Sequence, residues 1–114
     1  MAALDAEVIR RALVATKVLE RLGPVRAAYV FGSHLEGRAD RWSDIDVAAF
    51  VDGVESWDLR RRARAVVQVQ REAGLDIEAH LFPSSVFDKP EPGSFAAYVK
   101  QEGICILGDG MTAK

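Results

Sequence analysis

Fifteen residues constrain this chain more than any other part of it. Gly32-Ser33 is followed, after ten residues, by Asp44-Ile45-Asp46. An apolar, β-like run stands on each side, Ala27-Ala28-Tyr29-Val30-Phe31 before and Val47-Ala48-Ala49-Phe50-Val51 after. Two strands joined by a polar, glycine-containing loop is the simplest reading. Alternation along the second strand puts Asp44 and Asp46 on one side, Cα atoms about 7 Å apart, and turns Ile45 and Val47 toward a core. Carboxylates that close repel unless a cation lies between them, and hard oxygen ligands of this kind select Mg²⁺ or Mn²⁺. Gly32 permits a sharp turn and a close backbone approach to a phosphate, and the Ser33 hydroxyl adds a donor. A phosphate-sized backbone pocket beside a carboxylate pair is therefore expected.

Val30-Phe31-Gly32-Ser33, Gly37, Ala39 and Trp42-Ser43-Asp44-Ile45-Asp46-Val47 resemble the signature of the DNA polymerase β-type nucleotidyltransferase superfamily, in particular its smallest members, the MNT (minimal nucleotidyltransferase) proteins. The resemblance spans roughly residues 25 to 108. It implies a third carboxylate on a later strand, and Leu75-Asp76-Ile77-Glu78-Ala79-His80-Leu81-Phe82 is the candidate. Asp76, Glu78 and His80 alternate with apolar residues and are expected on one face. Relatives often read Ile-Glu-Pro-His-Pro-Phe here, which maps the acid to Glu78, with Asp76 as the alternative. Such an acid completes a second metal site or accepts the proton of an attacking hydroxyl. The resemblance implies that Asp44, Asp46 and Glu78 hold the metal, that Gly32 and Ser33 hold the triphosphate tail, and that ATP is the nucleotide. Ser43 is expected to orient the metal loop through a hydroxyl-to-backbone bond. Two departures stand out: Glu36 where many relatives carry Lys or Arg, with Arg38 or Arg41 as substitutes, and Ala79 and Leu81 where relatives have prolines.

Periodicity fills in the rest. Leu4, Val8, Ala12, Ala15, Leu19 and Leu22 predict an amphipathic helix over 5–22, stopped by Gly23-Pro24. Strands are expected at 26–31, 44–51 and 75–82. A second helix, capped by Ser56, should bury Leu59, Ala63, Val66, Gln70 and Ala73 and close at Gly74. That strand–helix–strand passage predicts a right-handed crossover with the second and third strands parallel. Residues 83–94, with Pro83, Pro90 and Pro92, are expected to be a surface loop. A short helix ended by Gly103 and a strand over 104–107 should follow. The fold class is α/β (α+β): a mixed twisted sheet of about four strands with helices packed on it, one nucleotidyltransferase domain over 1–108 and a loose tail over 109–114.

With 114 residues, 49% of them hydrophobic, one core without staples is expected. Cys105, the sole cysteine, reads as a core thiol with no intrachain disulfide. No apolar run reaches the roughly 20 residues that span a bilayer, and Met1-Ala2-Ala3-Leu4-Asp5 lacks the regions of a signal peptide, so a cytoplasmic protein is expected. The net charge of −2 argues against nucleic acid as the main partner. Arg60, Arg61, Arg62 and Arg64 form a local exception. They read as a solvated helix face, with a phosphate, an acidic protein surface or RNA as alternative partners.

The function expected is metal-dependent transfer of AMP from ATP to an acceptor hydroxyl, with release of pyrophosphate. A chain this short leaves the acceptor to bring its own binding surface, which points to a protein. MNT proteins are commonly paired with HEPN proteins in toxin–antitoxin modules, where the MNT member can modify a tyrosine of the HEPN ribonuclease with AMP, and the resemblance implies such a partner. The competing reading is a catalytically weak nucleotide- or partner-binding module acting by stoichiometric association. A small-molecule transferase would require a homo-oligomer to build its acceptor cleft.

Overall fold

Strand β2, Ile45–Val51, is apolar on both faces, and so needs a protein layer on each. In the computed structural model, which describes residues 6–32 and 44–108, it receives both. On one side Ile45, Val47, Ala49 and Val51 pack in a cluster with Val8, Ala12, Ala15 and Leu19 of helix α1 (Ala6–Leu22) and Ala65, Val69 and Ala73 of helix α2 (Leu59–Ala73). On the other, Ala48 and Phe50 meet Tyr29 and Phe31 of strand β1 (Val25–Phe31), Phe87 of the short helix α3 (Ser85–Asp88), and Ala96 and Val99 of helix α4 (Phe95–Glu102).

The sheet has four strands in the order β3-β2-β1-β4, with β3 at Ile77–Pro83 and β4 at Ile104–Leu107. β1 pairs antiparallel with both β2 and β4, whereas β2 and β3 run parallel, as the crossover through α2 requires. The mixed sheet, the parallel pair and the helix–strand order at the C-terminal end agree with expectation.

Three local expectations are corrected. Ser56 does not cap α2. It closes a 3-10 turn over Val54–Ser56 and donates its hydroxyl to the Gly53 carbonyl at 2.7 Å, while Asp58 accepts from the Arg61 amide at 2.8 Å as the true N-cap. The inner stripe of α2 runs through Ala65, Val69 and Ala73; Ala63 is exposed, and Leu59 is 83% exposed. The Arg62 guanidinium, bonded to the Val54 carbonyl at 2.9 Å, occupies the inner side of the first turn instead. Residues 83–94 are not all loop. Between Pro83 and Pro90 the chain fits one helical turn, α3, because Phe87 has a place to bury against Phe50.

Gly74 closes α2 as expected, at φ 132°, where a side chain would strike the Arg11 guanidinium. Leu4, Ser33, Glu36, Gly37, Arg38, Ala39, Arg41, Trp42, Ser43 and the 109–114 tail lie outside the described residues.

Candidate functional site

The parallel register does the assembling. Asp46 lies beside Glu78 on the neighbouring strand, and Ala48 beside His80. Paired residues in adjacent strands point to the same face roughly 4.8 Å apart, so an acid on each strand yields a facing pair without any special loop. The register is fixed where the strands begin, by the Ile45 amide donating to the Asp76 carbonyl at 2.8 Å. His80, one step along β3, reaches back so that its Nε2 is 3.3 Å from Asp46 Oδ1. One ligand atom from each of Asp46, Glu78 and His80 falls within 4.8 Å of the others.

Surroundings differ for the three. Glu78 is exposed, while Asp46 and His80 are half-buried. The His80 ring is held between Phe31 and Phe95, with centroids 5.2 Å and 5.4 Å away. Phe95 and Tyr98 then stack on each other at 6.3 Å on α4, leaving an aromatic wall next to the acids. Gly32 ends β1 at φ 91°, directly beside the Asp46 carboxylate, and its missing Cβ is what leaves that carboxylate room.

Of the sequence-derived acids, the structure brings together Asp46 and Glu78. Asp44 is exposed just ahead of β2 and is not part of that cluster. Asp76 is held elsewhere. Leu75 and Asp76 form a turn, in which the Ile77 amide bonds the Gly74 carbonyl at 3.1 Å, so strand alternation does not reach Asp76. Its carboxylate meets the Arg11 guanidinium of α1 on both oxygens, one contact at 3.1 Å, while Arg11 Nε donates to the Ala73 carbonyl at 2.9 Å. This hydrogen bonding holds the Arg11 pKa above its already high usual value. Asp76 thus pins α1 to the α2–β3 turn. No local signal announces that pair, whose members are 65 positions apart. The membership of His80 in the cluster was visible as a shared strand face; its approach to Asp46 was not. Ser33 and Ser43 fall outside the described residues.

The donor set suits a divalent cation. Two carboxylates supply hard oxygens of the kind that suit Mg²⁺ or Mn²⁺, and the His80 imidazole, with Nε2 3.3 Å from Asp46 Oδ1, is placed to orient one of them. The described residues contain no other such group.

The pattern describing the nucleotidyltransferase domain family matches residues 13–102. No curated protein sequence matches the chain. Among solved structures, a candidate nucleotidyltransferase from Sulfolobus solfataricus is similar with a TM-score of 0.56 at 16% identity, over 92% of this chain and 86% of that one. A toxin–antitoxin structure with AMP-PNP is similar with a TM-score of 0.58 at 23% identity, over 86% of this chain and 73% of that one. At such identities the two structures establish a shared fold. The family match covers most of the chain, and the chain belongs to the nucleotidyltransferase domain family.

Proposed function

We propose, from that membership, that the protein transfers AMP from ATP to a hydroxyl of a partner protein, and that it is the antitoxin of a HEPN/MNT-type pair. The observation that carries the catalytic half is the β2–β3 register, which sets Asp46 against Glu78 with His80 in reach of both. The likeness to a toxin–antitoxin structure with AMP-PNP supports the nucleotide and the partner. The resemblance of the Gly32-Ser33 and Asp44-Ile45-Asp46 segment to MNT proteins supports the HEPN assignment.

In this reading Asp46, Glu78 and Asp44 hold Mg²⁺ or Mn²⁺. A bound divalent ion would neutralise charge building on the phosphates and sharpen the nucleophile. Gly32 and Ser33 hold the triphosphate tail, and Ser43 steadies the loop before β2. The partner's hydroxyl oxygen forms a bond to the α-phosphorus as the bond from that phosphorus to the pyrophosphate oxygen breaks. Glu78, the most exposed of the clustered groups and so nearest an incoming acceptor, takes the hydroxyl proton. Asp76 has no part in this, since Arg11 occupies it. His80 orients Asp46.

A second reading, stoichiometric binding with negligible turnover, is favoured by the position of Asp44 outside the cluster, which leaves two clustered carboxylates among the described residues. One experiment separates the two. The protein is incubated with the product of the adjacent gene, labelled ATP and Mg²⁺, and the partner is weighed by mass spectrometry. A gain of one AMP that disappears in Asp46→Asn and Glu78→Gln is the expected result. Inhibition of the partner that persists in both variants without any mass gain establishes the binder instead.

A further inference from the structure

Three concavities of the described surface lie on the far side of the sheet from Asp46, along the outer face of α2. One, about 550 Å³, sits between the end of α1 and the start of α2, with Leu22, Trp57 and Ala65 as its apolar lining and Arg21, Arg61 and Arg64 as its basic one. Two smaller depressions, about 390 Å³ and 320 Å³, continue it past Arg60 and Val67 to Arg71.

In a chain of net charge −2 this band is strongly basic. Arg21 is neutralised by Glu72, but Arg60, Arg64 and Arg71 have no ion pair among the described residues. Large apolar side chains stand between them in water, Leu59 at 83% exposed and Val67 at 48%. Unpaired arginines interleaved with exposed aliphatics match the composition of protein interfaces and are wasteful on a merely solvated helix face. Single-stranded RNA fits less well. Its binding sites offer aromatic faces for stacking bases, and the one aromatic here, Trp57, is 7% exposed and covered by the Arg61 guanidinium at 4.1 Å.

We infer that the outer face of α2, from Leu22 and Trp57 to Arg71, docks an acidic, partly apolar segment of a partner protein, its carboxylates meeting Arg60, Arg64 and Arg71 and its aliphatic side chains covering Leu59 and Val67. The surface is independent of the catalytic reading, because α2 and the acid cluster lie on opposite faces of the sheet.

The test uses a fluorescein-labelled amphipathic peptide with glutamates on one helical face and leucines on the other. A lysine-for-glutamate counterpart and a single-stranded RNA oligomer are the comparisons, each titrated with the whole protein at low and high salt. The acidic peptide should bind best, lose affinity with salt, and lose about tenfold or more in Arg60→Glu/Arg64→Glu. Leu59→Ser should weaken it severalfold, and Asp46→Asn should leave it unchanged. Thermal melting checks the fold of each variant, and Arg60→Ala/Arg64→Ala serves if the charge reversal does not fold. Equal binding of the acidic and basic peptides, indifference to the arginine substitutions in a folded variant, or tighter binding of the RNA would each overturn the inference.

Discussion

Gly32 and Asp46 are packed so closely that a Cβ on the first would overlap the Oδ2 atom of the second. Gly32 also sits at φ 91°, where L-residues are strained. Phe31, just before it, is paired with Asp46 across the β1–β2 ladder, so neither backbone can draw back without breaking strand pairing. Gly32→Ala should therefore cost about 1–3 kcal/mol of stability and displace the carboxylate. Chemical denaturation reads the first effect, and loss of Mn²⁺-induced thermal stabilisation reads the second. A variant as stable as wild type that still gains stability from Mn²⁺ would show that the carboxylate is not confined by this glycine.

Cation binding should separate the acids by role. Asp46→Asn and Glu78→Gln are expected to abolish the Mn²⁺ signal in calorimetry or electron paramagnetic resonance. His80→Ala, which frees Asp46 to rotate, should weaken it by about 10- to 100-fold. Asp76→Asn should leave it intact and instead lower stability by about 1 kcal/mol, because its ion pair with Arg11 is only partly shielded from water. Retention of Mn²⁺ binding in Glu78→Gln with loss in Asp76→Asn would reverse the assignment.

The N-cap of α2 provides a test of packing detail. Asp58→Ala should destabilise the fold by about 1 kcal/mol, seen as a lower melting temperature, and Ser56→Ala by less, since Ser56 closes only the 3-10 turn. The reverse order would place the cap at Ser56.

Tyr29 gives the pH prediction. Burial within the sheet, aided by the neighbouring Cys105 thiol, pushes its phenol up to about 12. An unfolded chain ionises tyrosine near 10, so it releases the proton earlier than the folded chain does. The stability from this group is thus complete below pH 10 and falls as pH rises toward 12. Tyrosinate absorbance assigned to Tyr29, by difference from Tyr29→Phe, should stay low at pH 10.5 and rise only toward 12 or with alkaline unfolding. An ordinary titration near 10 in a folded sample would show that the ring is open to water.

Local pattern carried the elements because the forces that form them are local. Short apolar runs announce β1 and β2, alternation announces β3, and three- and four-residue steps announce α1. The Ser56 cap and the stripe through Leu59 and Ala63 give way because the Asp58 side chain competes for the same helix start, and which of two nearby caps wins depends on what Trp57 and Arg62 can bury or bond. The α3 turn was hidden by the prolines around it and depends on Phe50 offering Phe87 a surface.

The sequence by itself determined the nucleotidyltransferase signature, the glycine bend and the strand–helix–strand crossover, since each rests on side-chain type and short-range spacing. Only the tertiary structure set Glu78 beside Asp46 and Asp76 beside Arg11, drew His80 to Asp46, and gathered along one helix face Arg60, Arg64 and Arg71, which have no ion pair among the described residues. Those outcomes hang on strand register and on contacts between residues tens of positions apart, where a carboxylate goes to whichever cation or neighbouring strand the packed chain puts beside it.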